Sequence, residues 1–266
     1  MSDSPVILIT GASSGIGEAT ARRFALVGYR VVLAARRVER LNQLASQIER
    51  YDGQVLTVVT DVSRLEDIQN LAQTTLDRFG SIDVLFNNAG FGRLNWLEKL
   101  DPIRDIEAQL QVNLLGVILL TRAVLPQMIE RRRGHIINIA SMAGKVATPT
   151  YTIYAASKFG VRGFSEALRR EVGVYGIRVS VIYPGGVETE FKMHTGAQRK
   201  TGMTTPASLR LNVNDVADAV WKVVQRPRRD LVIPGIMRLP AFLNMLVPGL
   251  IDWIIERRFV RLERDL

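Results

Sequence analysis

The sequence predicts a doubly wound, seven-stranded parallel α/β sheet in a single domain, and three observations predict it. Short β-branched runs alternate with longer amphipathic stretches through most of the chain. The runs are nearly continuous in apolar residues, as strands are when helices cover both faces of a sheet. A glycine-rich turn stands where the first run gives way to the first helical stretch.

The runs are VILIT (6–10), YRVVLAA (29–35), VLTVV (55–59), IDVLFN (82–87), HIINIA (135–140), RVSVIY (178–183) and DLVIP (230–234). In VERLNQLASQIER, Val38, Leu41, Leu44, Ala45 and Ile48 recur at spacings of three and four, which gives a helix one apolar face. LEDIQNLAQTTLDRF (65–79) follows the same rule. No linker, repeat or low-complexity segment interrupts the pattern before residue 190. Residues 1–235 therefore read as one unit, with 236–266 as a C-terminal extension.

Composition excludes several classes. At 266 residues and 47% hydrophobic, the chain can bury a sizeable core. It has no cysteine, so a disulfide scaffold, a thiolate nucleophile and a cysteine-based zinc site are out; no metal is expected. Net charge is +9, from 35 basic against 26 acidic residues. The basic residues are scattered without interleaved aromatics, which speaks against nucleic acid as a partner. MSDSPVILIT has no basic n-region and only a short apolar run, so it does not read as a signal peptide, and a cytoplasmic location is expected.

The first strand leads into LITGASSGIGEA (8–19), with Gly11, Gly15 and Gly17 between strand and helix. Without Cβ atoms the backbone can turn tightly and approach a pyrophosphate, and the helix N-terminus adds free N–H groups. The alternative is a glycine turn with serine caps. The second strand ends in Ala34-Ala35-Arg36-Arg37, with no carboxylate for a ribose 2′-hydroxyl. Arg36 can instead fork onto a 2′-phosphate, or be a solvated cation at a helix start. Asp61 closes the third strand, placed for an adenine amino group or for an ordinary helix N-cap.

In YTIYAASK (151–158), Tyr154 and Lys158 are four apart and share a helical face, whereas Tyr151 has Ala155 at that offset. A neighbouring ammonium favours phenolate, and a cationic cofactor ring adds to that. By itself the spacing is common. Ser141, however, directly follows a strand, Asn87-Asn88-Ala89-Gly90 closes another, and Asn113 interrupts an apolar helix. In open α/β sheets ligands bind at that carboxyl edge.

Together these features resemble the short-chain dehydrogenase/reductase family: TGASSGIG (10–17), NNAG (87–90), Asn113, Ser141, YAASK (154–158) and PGGVET (184–189) match its motifs in order and spacing. The resemblance spans about residues 5 to 235. It implies a Rossmann fold and NADP(H)-dependent hydride transfer at a carbonyl or alcohol carbon. By position it makes Tyr154 the acid-base and Ser141 the hydrogen-bond partner of the substrate oxygen. Lys158 would hold the nicotinamide ribose and lower the phenol pKa, and Asn113 would support a relay water. Gly11, Ser13, Ser14, Gly15, Ile16 and Gly17 would line the phosphates, with Arg36 and Arg37 near the 2′-phosphate and Asp61 and Val62 near the adenine. Asn88, Ala89 and Gly90 would flank the ribose, and Pro184, Gly185, Val187 and Thr189 the nicotinamide. It also implies a homodimer or homotetramer. A cofactor-sensing protein of the same fold without turnover is the alternative.

Two segments lie outside that pattern. Residues 191–212 read as a substrate lid, with Met193 and Met203 suited to an adaptable apolar pocket, or as a plain connector. LPAFLNMLVPGLI (239–251) is uncharged but too short to span a bilayer and is broken by Pro240 and Pro248. It reads as a cap on the pocket, a subunit contact, or, through 239–261, a peripheral membrane contact. Each reading goes with an apolar carbonyl or alcohol substrate: lipid-, steroid-, retinoid- or 3-oxoacyl-like.

Overall fold

Every one of the apolar runs forms a strand in the computed structural model, which describes residues 4–51, 53–191, 200 and 205–265. The strands are β1 (Val6–Thr10), β2 (Arg30–Ala35), β3 (Val55–Val59), β4 (Val84–Asn87), β5 (Gly134–Ile139), β6 (Ile177–Pro184) and β7 (Asp230–Ile233). They lie in the order β3-β2-β1-β4-β5-β6-β7, with every adjacent pair parallel. The chain winds outward one way from β1 and then the other way from β4. A crevice therefore opens above the carboxyl ends of β1 and β4.

Helices α1 (Gly15–Leu26), α2 (Val38–Glu49) and α3 (Leu65–Phe79) follow the first three strands. Ile7, Ile9 and Leu33 point to one face, where Phe24, Leu41, Val216 and Val220 cover them. Leu8, Val32 and Leu85 point to the other, under Ile68, Leu71, Val124 and Leu168. This two-sided burial explains why the strands carry no polar alternation, and each such side chain contributes roughly 1.5–3 kcal/mol. The stripe expected on α2 is buried at Leu41, Leu44, Ala45 and Ile48. Val38 departs from it at 40% exposure, because the first turn has not yet reached the core.

The helix after β4, Pro102–Glu130, is long and apolar enough to cross a membrane by length and composition. It nevertheless carries buried Asp105, Gln109 and Asn113 and sends Leu120, Val124 and Met128 into the core under the sheet, so it is a core helix of the domain. Two of its stretches, Pro102–Glu107 and Gln111–Leu115, are π-helical, and the second contains Asn113.

One buried strand residue sets an acid limit on stability. His135 in β5 has its Nε2 2.8 Å from the Ser180 hydroxyl. Burial, and then the Arg178 charge, push its pKa down from 6.5 to about 4. The unfolded chain takes up this proton as pH falls through 6.5, whereas the folded chain resists until about 4. Stability from this group is therefore full above the upper value and lost across that window, by about 3 kcal/mol. Thermal melts across the window should show the decline, and His135→Gln should flatten it. Equal slopes in the two proteins would rule His135 out as the cause.

Candidate active site

The glycine turn is built from backbone conformations that favour glycine. Gly11 and Gly15 have φ of 65° and 58°. A Cβ on Gly17 would stand 2.3 Å from the Gly11 carbonyl oxygen, so helix and turn are packed backbone to backbone. Thr10 joins this turn to the end of β4: its Oγ1 accepts from the backbone N–H groups of Asn88 and Ala89, both at 3.0 Å. The Asn88 amide donates in return to the Thr10 carbonyl at 2.9 Å. The loop after β6 closes over the same turn, with Thr189 Cγ2 lying 3.3 Å from where a Gly15 Cβ would be. Upstream in that loop, Gly185 N–H donates to Ile233 O at 2.7 Å and Val187 bridges Leu211.

Ser14 stands at the N-cap of α1, yet its hydroxyl caps nothing in the helix. Instead Ser14 accepts from Arg37 at 2.6 Å, and Ser13 accepts two further Arg37 N–H groups at 3.1 and 3.0 Å. The remaining Arg37 nitrogen meets Glu190 at 3.0 Å, and Arg40 meets the same carboxylate at 2.6 Å. Hydrogen bonds from Arg40 and Arg37 hold the Glu190 carboxyl down at about 2. Arg36 points elsewhere, with a 75% exposed side chain 3.7 Å from Asp61. Asp61 accepts from the N–H and hydroxyl of Ser63 at 3.0 and 2.7 Å. It does not cap α3, whose N-cap is Arg64. Val62 is buried beside it, its carbonyl 2.6 Å from where a Gly116 Cβ would be.

At the ends of β4, β5 and β6 lie the groups able to move a proton. Ser141 follows β5, and its Oγ accepts from Ala143 N–H at 3.1 Å, which leaves its own proton for the Tyr154 hydroxyl. Tyr154 and Lys158 share one face of the helix Thr152–Val172, both buried, with the Lys158 nitrogen 5.7 Å from the Tyr154 ring centroid. Lys158 donates to the Ile139 carbonyl at 3.1 Å. Asn113 is fully buried; its amide donates to Phe91 O at 2.7 Å and its oxygen accepts from Phe91 N–H at 2.9 Å. That clamp fixes the stretch after Ala89. A Cβ on Gly90 would lie 3.0 Å from the Asn113 oxygen and 3.6 Å from the Lys158 nitrogen.

The electrostatics differ from the sequence expectation in one respect. A lysine four residues on was expected to draw the phenol pKa down. Burial instead raises Tyr154 to about 12, against a lowering hydrogen bond from Ser141 and a further rise from Tyr151. Burial alone pushes Lys158 down to about 8. Desolvation penalises both charged forms more than this lysine stabilises phenolate at its observed distance. At neutral pH the chain holds a protonated phenol beside an ammonium.

Several further residues, given no site role from sequence, also border this site. Thr150, immediately before the tyrosine helix, has φ of 68°, which is strained for a β-branched residue, and its buried hydroxyl is without a hydrogen-bond partner. The Tyr151 and Phe191 rings stand 6.1 and 5.5 Å from that of Tyr154. With Leu94, Ala143 and Ala155 they form an apolar wall. Thr10, Arg40 and Glu190 had weak signals: a hydroxyl at a strand end, a third arginine in the first turn of α2, and a carboxylate right after Thr189. Met193 and Met203, expected in the lid, lie outside the described residues.

Comparison with known proteins fits this arrangement. A family model described as short chain dehydrogenase matches residues 5–200. A dehydrogenase/reductase SDR family protein 7-like of Anopheles gambiae is 34% identical over 97% of this chain and 84% of the relative. The NADP-dependent 3-hydroxy acid dehydrogenase YdfG of Salmonella typhi is 37% identical over 84% of this chain and 90% of the relative. Among solved structures, the closed form of a serine dehydrogenase complexed with NADP+ superposes with a TM-score of 0.78 at 35% identity. It covers 86% of this chain and 94% of that one.

Proposed function

This chain belongs to the short-chain dehydrogenase family, and from that premise we propose that it is an NADP(H)-dependent oxidoreductase acting on the carbonyl or secondary-alcohol carbon of an apolar substrate. The observation that carries this reading is the Ser141–Tyr154–Lys158 group at the carboxyl edge of the sheet, its phenol and ammonium buried, with an apolar wall on one side and the glycine turn on the other.

The residues present fit a dinucleotide. A Cβ at Gly11 would stand 2.9 Å from Ala89 Cα and one at Gly17 2.3 Å from Gly11 O, so only glycine permits this tight turn, whose backbone along Gly11, Ser13, Ser14, Gly15, Ile16 and Gly17 would meet a pyrophosphate at the N-terminus of α1. Arg37, oriented by Ser13 and Ser14, would meet a 2′-phosphate, with the more exposed Arg36 beside it. Asp61 and Val62 would meet the adenine. Asn88, Ala89, Gly90 and Lys158 would flank the ribose, and Pro184, Gly185, Val187 and Thr189 the nicotinamide. The relative named as NADP-dependent and the neighbour solved with NADP+ support the phosphorylated form.

When bound, the nicotinamide supplies the hydride to the carbonyl carbon in reduction and takes it back in oxidation. The chain supplies the proton. Tyr154 donates its phenolic proton to the oxygen of the former carbonyl as charge develops there, and Ser141 donates a hydrogen bond to the same oxygen. In the other direction Tyr154 removes the alcohol proton. Lys158 adds an ammonium charge that favours the transient phenolate, and Asn113 holds the Phe91 segment against the site. The aromatic wall of Tyr151 and Phe191 excludes water and favours an apolar substrate. The outer faces of the helices Pro102–Glu130 and Thr152–Val172, where Leu115 and Phe159 stand exposed, would receive a second subunit.

Fluorescence titration with NADPH and NADH, followed by turnover on lipophilic carbonyls and small sugars, tests the reading. NADPH is expected to bind more tightly and lipophilic carbonyls to drive its oxidation. A preference for sugars would sink the apolar substrate class. Tight binding with no turnover on any carbonyl would favour the cofactor-sensing alternative.

A further inference from the structure

The C-terminal extension carries more exposed apolar surface than its length would suggest. After β7 the chain forms the helices Arg238–Leu246 and Pro248–Ile255, neither of which has a buried residue. Leu239, Phe242, Met245, Leu246, Leu250 and Trp253 are each more than half exposed. In the first helix only Asn244 separates Leu239 from Leu246 as a polar residue. These helices are thus apolar around most of their circumference. A helix that docks on another protein has one apolar stripe and a polar back, whereas one that is apolar all round needs apolar surroundings on all sides. Nothing else in the described chain supplies them.

The geometry also disfavours a straight span. The two helical arms, Gly235–Leu246 and Pro248–Arg264, are long and apolar enough to cross a membrane only when taken together, and they are bent by 108° where they meet. At about 1.5 Å per residue neither helix of the apolar stretch crosses a hydrocarbon core of about 30 Å. A bent segment of this size, uncharged from Leu239 to Ile251, fits one leaflet. The charges around it fit that placement. Arg238 stands at one end of the apolar stretch, and Arg257 and Arg258 stand just past the other, all exposed. The Arg257 guanidinium lies 4.7 Å above the Trp253 ring, an aromatic and a cation paired where an interfacial helix would place them. Glu256 is neutralised by Arg261, and Asp265 pairs with Lys200. Asp252 is the one acidic residue within the stretch from Arg238 to Ile255.

We propose that the bent pair of helices formed by residues 238–255 inserts into one leaflet of an anionic phospholipid bilayer, with Arg238, Arg257 and Arg258 at the headgroup level. The segment also borders the substrate side of the domain. Met237 Cε lies 3.8 Å from where a Gly185 Cβ would be, Phe259 packs near Trp96, and Arg264 pairs with Glu98 at 3.0 Å. Docking would therefore hold the mouth of the site against the lipid surface. Delivery of an apolar carbonyl from the bilayer rests on the oxidoreductase reading above, whereas the docking does not.

The test is flotation of the full chain with phosphatidylcholine vesicles, with and without phosphatidylglycerol. Wild type should float with the anionic vesicles, less so as salt is raised, and weakly with phosphatidylcholine alone. Phe242→Glu combined with Leu246→Glu places charge on exposed positions, so folding is spared, and should weaken flotation by about tenfold or more. Unchanged NADPH titration and unchanged turnover of a water-soluble carbonyl would certify that this variant is folded. Flotation equal in wild type and variant, or absent in both, overturns the proposal. So does a wild-type oligomer that the variant dissociates without any lipid binding, which would assign the surface to a second copy. Failure of docking with turnover intact leaves the reaction standing, and docking without turnover does the reverse.

Discussion

Tyr154→Phe is expected to lower carbonyl-dependent NADPH oxidation by about 10³-fold, within the roughly 10²–10⁴ range of a lost general acid, while leaving NADPH affinity within about twofold. The substitution removes one oxygen and keeps the ring, which packs against Tyr151 and Phe191. What is lost is the proton donor and its hydrogen bond with Ser141. About 10³-fold corresponds to roughly 4 kcal/mol of barrier, more than one neutral hydrogen bond contributes to stability. Rate and melting temperature should therefore separate: a large fall in kcat with a small change in Tm. The phenol is held at about 12 by burial, so in the reducing direction the donor stays protonated throughout the neutral range. Steady-state rates together with a fluorescence titration decide the matter. A Tyr154→Phe variant that keeps a tenth or more of wild-type turnover would remove Tyr154 from the proton-transfer role.

The fold was legible because the sheet is buried on both faces. Runs such as VILIT and RVSVIY have no polar alternation to confuse with a surface strand, and glycine or polar residues punctuate them. The helix 65–79 appears with the bounds its periodicity implies, because Ile68, Leu71 and Ala72 set its inward stripe. The π-helical turns around Asn113 were not legible: apolar periodicity carries no π register, and the Phe91 backbone contact that accompanies the turn is tertiary. The same limit applies at the phosphate end. Arg36 and Arg37 are adjacent, and sequence cannot say which one turns toward Ser13 and Ser14. That depends on β2 ending at Ala35 and on Arg37 becoming the N-cap of α2. Glu190 is separated from Arg37 by 153 residues, so no local pattern links them. The phenol's shift is hidden from sequence for a related reason: spacing gives the lysine, but only the packed structure gives the desolvation.

The cofactor's 2′-phosphate gives the second large effect, and it turns on which arginine faces the glycine loop. Arg37→Ala should weaken NADPH binding by about 10²-fold with little change for NADH. A charge-assisted hydrogen bond is worth roughly 1.5–3 kcal/mol, and Ser13 and Ser14 already orient this guanidinium. Arg36→Ala should cost about tenfold or less, because its side chain is largely solvated and its contact with Asp61 is long. Glu190 supplies a check with the opposite sign. Its carboxylate takes the Arg37 and Arg40 charges that a phosphate would also seek, and their hydrogen bonds keep it ionised down to about 2. Glu190→Gln removes that competitor and should tighten NADPH severalfold, by roughly the scale of one partly exposed ion pair. Because Glu190 remains charged at any pH used for such titrations, mild acid will not imitate the substitution. Were Arg36→Ala to abolish the NADPH preference while Arg37→Ala spared it, Arg37 would be only a brace for the loop and Arg36 the phosphate ligand. Opposite signs for Arg37→Ala and Glu190→Gln, read in the NADPH-to-NADH affinity ratio, would instead tie both residues to the same phosphate.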